Sequence, residues 1–212
     1  MIFVFVRKGR SAEAVAERAR NVALLTTVAT FLLSMVLYFG FDAATSDYQF
    51  VEQFRWIEGY GIHYHLGVDG ISLFLILLTT LLMPVCIVTS WKSITTQVRE
   101  FMIAFLLLET LVIGAFAALD LVLFYFFFEA SLMPMFLIIG VWGGENRVYA
   151  AFKFFLYTLL GSVLFLLAII YIYFQTGTTD IPTIVHRTPH FTLEIQILLW
   201  LAFFASFAVK VP

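Results

Sequence analysis

Residues 101–142 read FMIAFLLLET LVIGAFAALD LVLFYFFFEA SLMPMFLIIG VW. A helix that crosses a bilayer needs about 20 mostly apolar residues. This run is too long for one crossing and fits two. Asp120 stands near its middle, which places a tight hairpin at Leu119–Asp120 and spans at 101–119 and 120–142. Working outward, the same criterion finds spans at 22–41 and 70–91 before it, and at 149–174 and 193–212 after it. The expected architecture is an all-α membrane protein of about six transmembrane helices. It forms a single membrane domain over residues 1–212, with the last helix broken near Lys210–Pro212.

Composition supports a lipid solvent. The 212 residues are 62% hydrophobic, 18% aromatic and 12% charged, with a mean hydropathy of +1.00. A soluble domain carries roughly 25% charged residues. Half that charge leaves too little polar surface for water. The net charge of −2 and the lack of a basic tract argue against nucleic acid. Cys86 is the single cysteine, so an intrachain disulfide is excluded.

Loop charge sets the expected orientation. Short cytoplasmic loops collect Lys and Arg. One side of the six spans receives Arg7, Lys8, Arg10, Arg18, Arg20, Lys92, Arg99 and Arg147, and the other only Arg55 and Arg187. Residues 1–20 are therefore assigned to the cytoplasm, and the loops from Asp42 to Asp69 and Gln175 to Glu194 to the outside. Met1–Val6 is apolar and precedes the positive charges, the reverse of a signal peptide. It reads as the tail of a first helix whose beginning is missing.

Apart from Asp120 and Glu194 at span starts, four charges fall inside spans. Glu109 lies about ten residues before Asp120, and Glu129 about nine after it. At 1.5 Å per residue each is roughly 15 Å from the same membrane face, near the middle of a core about 30 Å thick. A charge there costs at least ~2.5–3.5 kcal/mol on the insertion scale, so such groups face a water-filled cavity or an opposite charge. Pro134 cannot donate to the carbonyl of Ala130, and that opening fits a hydrated site and a plain kink equally. Lys153, about one turn into its helix, is as easily a snorkelling residue as a functional base. Lys210, just before Val211-Pro212, sits where a broken helix would line an ion site.

The remaining candidates are weaker. His63 and His65 form a His-Tyr-His pair in the outer loop, read chiefly as locally hydrogen-bonded. His186 and His190 read as loop residues. No Cys, His and acid cluster has metal-ligand spacing, and no phosphate loop or nucleophile elbow is present.

At these residues the chain resembles a known family. Phe126-Phe127-Phe128-Glu129-Ala130-Ser131-Leu132-Met133-Pro134-Met135 resembles the fifth helix of the antiporter-like subunits of respiratory complex I. Gly140-Val141-Trp142-Gly143-Gly144 and Ala151-Phe152-Lys153-Phe154-Phe155-Leu156-Tyr157-Thr158 are similar to the subunit M, or chain 4, branch of NADH-quinone oxidoreductase. Gly67-Val68-Asp69-Gly70-Ile71-Ser72 resembles the start of its third helix, and Phe207-Ala208-Val209-Lys210-Val211-Pro212 the start of its broken seventh.

The resemblance implies a proton-translocating subunit. Glu129 and Lys210 match the family's paired glutamate and lysine, Glu109 a further acid and Lys153 a further base of the relay. It implies that NADH, FMN, iron–sulfur clusters and quinone are bound by other subunits, with no cofactor or metal on this chain. The implied partners are other complex I membrane subunits, including sister antiporter-like ones, the lipid bilayer and protons. The implied location is the bacterial inner membrane, ahead of the mitochondrial one. Family members are about twice this length and carry a second, inverted repeat, so the chain is expected to be truncated at both ends. Two other readings stand beside this one. The first is a subunit of a multi-subunit sodium/proton antiporter or membrane-bound hydrogenase. The second is a membrane scaffold whose buried charges only lock helices together.

Overall fold

The computed structural model describes residues 12–187 and 191–211. The readings made on the Met1–Val6 helix tail, on Arg7, Lys8 and Arg10, on His190 and on Pro212 lie outside the described residues. The described elements are helices α1 (Ala12–Gly40), α2 (Gly70–Ser93), α3 (Val98–Ala117), α4 (Leu121–Ala130), α5 (Leu132–Trp142), α6 (Arg147–Thr176), α7 (Ile181–Arg187) and α8 (Leu193–Lys210). Strands β1 (Gln49–Ile57) and β2 (Ile62–Val68) lie between α1 and α2. Among the described residues, six helical segments are long and apolar enough to cross a membrane, with α4 and α5 together making one of them. Their outer faces are apolar: Leu25, Leu33 and Phe39 are 70%, 69% and 78% exposed, which suits lipid and not water.

The all-α expectation holds for the spans, and the β-hairpin is an addition to it. The two strands form a two-stranded sheet. A short 3-10 turn over Glu58–Tyr60 and Gly61, at φ 64°, connect them. Glycine carries that left-handed conformation without steric cost. Nearly all of β1 is exposed, so its side chains lack the one-sided apolar alternation that reveals a half-buried strand.

The chain divides into two compact units. The first comprises residues 1–49 and 68–116. In it α1 packs on α2 through small residues: Ala19 and Ala23 are 1% and 0% exposed. The Ser34 and Thr80 hydroxyls share a 2.8 Å hydrogen bond across that interface. Small side chains let membrane helices approach, and hydroxyls then bond across them. Arg20 donates to the carbonyl of Ile94 at 2.9 Å, closing the end of α2. The start of α2 is a capping box. The Asp69 carboxylate accepts from the Ile71 and Ser72 amides, and Ser72 answers the Asp69 amide.

The second unit comprises residues 50–67 and 117–212. Here α6 is the central post, packed against α5 and α8. A Cβ on Gly161 would lie 3.0 Å from the Val209 Cβ, so glycine sets how closely α6 and α8 meet. Gly161→Leu is expected to overpack this contact and destabilise the protein by ~1–3 kcal/mol. A lower thermal midpoint of the solubilised protein checks it.

Candidate proton-handling site

The second unit fixes its polar groups from the beginning of α4. Asp120 is fully buried and caps the helix, its Oδ1 accepting from the Val122 and Leu123 amides at 2.9 and 3.2 Å. The other oxygen accepts from the Thr179 hydroxyl at 2.5 Å and the His63 amide at 3.3 Å. Backbone bonds from Leu119 to His65 and from Leu121 to Thr179, both 2.8 Å, tie in the hairpin and the segment after α6. One carboxylate thus anchors three stretches of chain where a simple turn was expected.

From that anchor α4 runs to Ala130, and the helix is interrupted at Ser131 before α5 begins. Pro134 supplies no amide to the carbonyl one turn back and crowds it, so the disturbance falls a turn upstream of the proline itself. Glu129 sits in this last turn. Lys210 ends α8, and Val211 is already extended, at φ −73° and ψ 124°.

These two helix ends meet. Lys210 Nζ lies 3.4 Å from Glu129 Oε1 and donates to the carbonyl of Phe128 at 2.9 Å. It also stands 3.0 Å from the centroid of the Phe128 ring, a cation–π contact. The side chains of Lys210 and Glu129 are only 18% and 17% exposed. Phe124, Phe165 and Phe207 pack with Phe128 at centroid distances of 5.4–5.9 Å and wall the pair off.

The magnitudes decide what such a pair is for. At 3.4 Å and an effective dielectric near 20, the attraction is ~5 kcal/mol. Removing each ion from water costs several kcal/mol. The attraction therefore only roughly offsets the cost of taking the two charges out of water, which makes the pair a weak clamp between helices.

The other predicted residues are placed differently. Lys153 is exposed on the second turn of α6, its ammonium 5.9 Å from the Tyr149 ring centroid. No carboxylate lies within ion-pair distance of it among the described residues. Glu109 belongs to the first unit. It is 3% exposed, and its Oε1 has no hydrogen-bond partner among the described residues. The sequence reading missed the Phe128 carbonyl and ring as lysine ligands, because backbone and apolar groups carry no charge signal.

It also missed a clasp outside the spans. His65 Nδ1 and Asp180 Oδ1 lie 2.8 Å apart, a long-range contact in place of the local bonding expected of the His63–His65 pair. Asp180 also accepts from the Thr183 hydroxyl at 2.5 Å and the Thr183 amide at 3.0 Å. Burial pushes the Asp180 carboxyl up, but the Thr183 bonds and His65 outweigh it and hold it below the usual carboxylate value. A depressed carboxyl contributes stability above its unfolded value and loses it as pH falls through the folded one. Asp180→Asn is expected to cost ~1–3 kcal/mol at neutral pH. The variant should also lose part of the wild-type fall in thermal midpoint on acidification.

Among the described residues no group of three His, Cys, Asp or Glu side chains is placed to hold a metal.

The fold is that of a multi-span membrane subunit carrying an ion pair between two helix ends, Glu129 of α4 and Lys210 of α8. Residues 118–212 match the transmembrane family of NADH:quinone oxidoreductase and Mrp antiporters. Residues 19–115 match the amino terminus of NADH-ubiquinone oxidoreductase chain 4. The chain belongs to this NADH:quinone oxidoreductase family, in its subunit M/chain 4 branch.

Two relatives and one solved structure support that placement. The chain is 55% identical to NADH-quinone oxidoreductase subunit M of Rhodobacter capsulatus, over 100% of this chain and 43% of the relative. It is 53% identical to NADH-ubiquinone oxidoreductase chain 4 of Arabidopsis thaliana, over 91% of this chain and 39% of the relative. It is also similar to a chain of respiratory complex I from Thermus thermophilus with bound NADH. That match has a TM-score of 0.80 and 28% identity, over 91% of this chain and 40% of that one. The chain therefore spans about two-fifths of the length of these relatives.

Proposed function

We propose that this chain is the proton-translocating part of a complex I membrane subunit, working through the Glu129–Lys210 pair. The observation that carries the reading is the 3.4 Å contact between these two largely shielded charges at the ends of α4 and α8. In this reading a proton reaching the pair is taken up by Glu129 as the attraction of Lys210 weakens, and is released when the attraction is restored. Glu109 and Lys153 are further members of the relay in this reading. Electron transfer from NADH to quinone happens in other subunits, which hold the NADH, FMN, iron–sulfur and quinone sites. Sister antiporter-like subunits are its membrane partners, and the bacterial inner membrane is its location.

The match to Mrp antiporters favours one rival, a subunit of a sodium/proton antiporter, because the same pair would serve it. Purifying the native complex through this chain separates the two. Co-purifying flavin and iron–sulfur clusters, with quinone reduction that builds a proton gradient, support the complex I reading. Sodium/proton exchange by a complex without flavin would overturn it.

A further inference from the structure

Three helices of the second unit each carry two polar side chains four residues apart: Tyr125 and Glu129 on α4, Thr158 and Ser162 on α6, Ser206 and Lys210 on α8. The contacts fix their levels. Gly161 faces Val209, and the Phe165 ring lies 4.9 Å from Phe203 and 5.6 Å from Phe207. Ala168 and Tyr171 line one groove with Ile195 and Ala202. Helices α6 and α8 are thus antiparallel, and this register puts Ser162 and Ser206 in the same turn. The Tyr125 ring lies 5.8 Å from the Phe165 ring, about one turn along α6 from Ser162. Tyr125, Ser162 and Ser206 therefore form one layer, about one helical turn or 5.4 Å from the Glu129–Lys210 pair on the Asp120 side.

Ser206 is the anomaly in this layer. It is 1% exposed, and its hydroxyl has no hydrogen-bond partner among the described residues. Its neighbours do not share this: Ser162 donates to the Leu159 carbonyl at 2.9 Å, and Thr158 to the Phe154 carbonyl at 2.8 Å. An unmet buried hydroxyl costs about 1–3 kcal/mol. A buried water meets such a group when two to four polar partners surround it, and Ser206, Ser162, Tyr125 and the Lys210 ammonium are the polar groups at hand.

We propose that Tyr125, Ser162 and Ser206 form a hydroxyl relay that holds ordered water and carries protons between the Glu129–Lys210 pair and the Asp120 end of α4. The proposal rests on the reading of that pair as proton-handling. Each hydroxyl gives up one proton as it accepts another, so no charge is left on serine or tyrosine.

The test uses the full-length chain in its native complex. Tyr125→Phe removes one oxygen atom without changing packing, and Ser206→Ala removes the orphaned hydroxyl. Each is expected to slow NADH-driven proton pumping at least about threefold. That is less than the 10²–10⁴ lost with a primary proton-transfer group, because water partly stands in. The solvent deuterium isotope effect on pumping should rise in both variants. Ser206→Thr, which keeps the hydroxyl, should restore the wild-type rate, and the double variant should be no slower than the worse single one.

Normal pumping and an unchanged isotope effect in both variants would overturn the relay. So would a loss in Ser206→Ala that Ser206→Thr does not restore while Tyr125→Phe pumps normally. Glu129→Gln in the same assay separates the two claims: if it stops pumping while the hydroxyl variants do not, only the relay fails.

Discussion

Glu129→Gln in the full-length chain is expected to leave the complex assembled and to cut proton pumping by roughly a hundredfold. Glutamine keeps the shape of the side chain and an oxygen for Lys210, so packing in the aromatic wall is preserved. What it removes is the ability to bind and release a proton. Losing a positioned proton-transfer group typically costs 10²–10⁴ in rate, and the low end of that range is expected. A scaffold role predicts the opposite pattern, with assembly impaired and pumping per assembled complex unchanged. Native gel quantification beside the pumping rate separates these outcomes.

Lys210→Met is expected to be the second large loss, roughly tenfold or more in pumping. Methionine fills similar volume and leaves no cation. The lysine answers both the Glu129 carboxylate and the Phe128 carbonyl, so its removal strands two acceptors at once. Breaking one side of a buried pair costs about 3–5 kcal/mol when the other charge stays. The carboxyl escapes that cost by remaining neutral, and a carboxyl that stays neutral cannot cycle. Lys210→Arg keeps the charge but places a planar fork where a compact ammonium sits on a ring face. Intermediate pumping is expected from it, above Lys210→Met and below wild type.

Much of this was legible because lipid is an unforgiving solvent. A crossing needs a long apolar run, so the six spans stand out from composition alone, and a charge within one of them stands out equally. Glu129 and Lys210 were visible for that reason, although 81 residues separate them. The helix break near Glu129 was visible through Pro134, but its position at Ser131 was not, because a proline's missing bond and its clash both act a turn away.

What stayed hidden follows from the same logic. β1 is exposed along nearly its whole length, so no alternating burial marks it. The His65–Asp180 clasp and the many-handed role of Asp120 join segments far apart in sequence, and their residues are ordinary for a loop. Ser206 is a small hydroxyl in an apolar helix, a residue type that usually back-bonds to its own helix. Only its lack of a hydrogen-bond partner among the described residues sets it apart. Lys153 carried as much charge signal as Lys210, yet it lies exposed on α6 and joins no ion pair among the described residues, which depth along a helix alone does not reveal.

The measurement that bears most directly on the pair is the initial rate of NADH-driven dye quenching in inside-out membrane vesicles, normalised to assembled complex. It compares Glu129→Gln, Lys210→Met and the double variant. If Glu129 and Lys210 act as one proton-handling unit, the double variant pumps no more slowly than Glu129→Gln alone, because removing the second member of a broken unit costs little more. Glu129→Gln pumping at the wild-type rate in a normally assembled complex would contradict it.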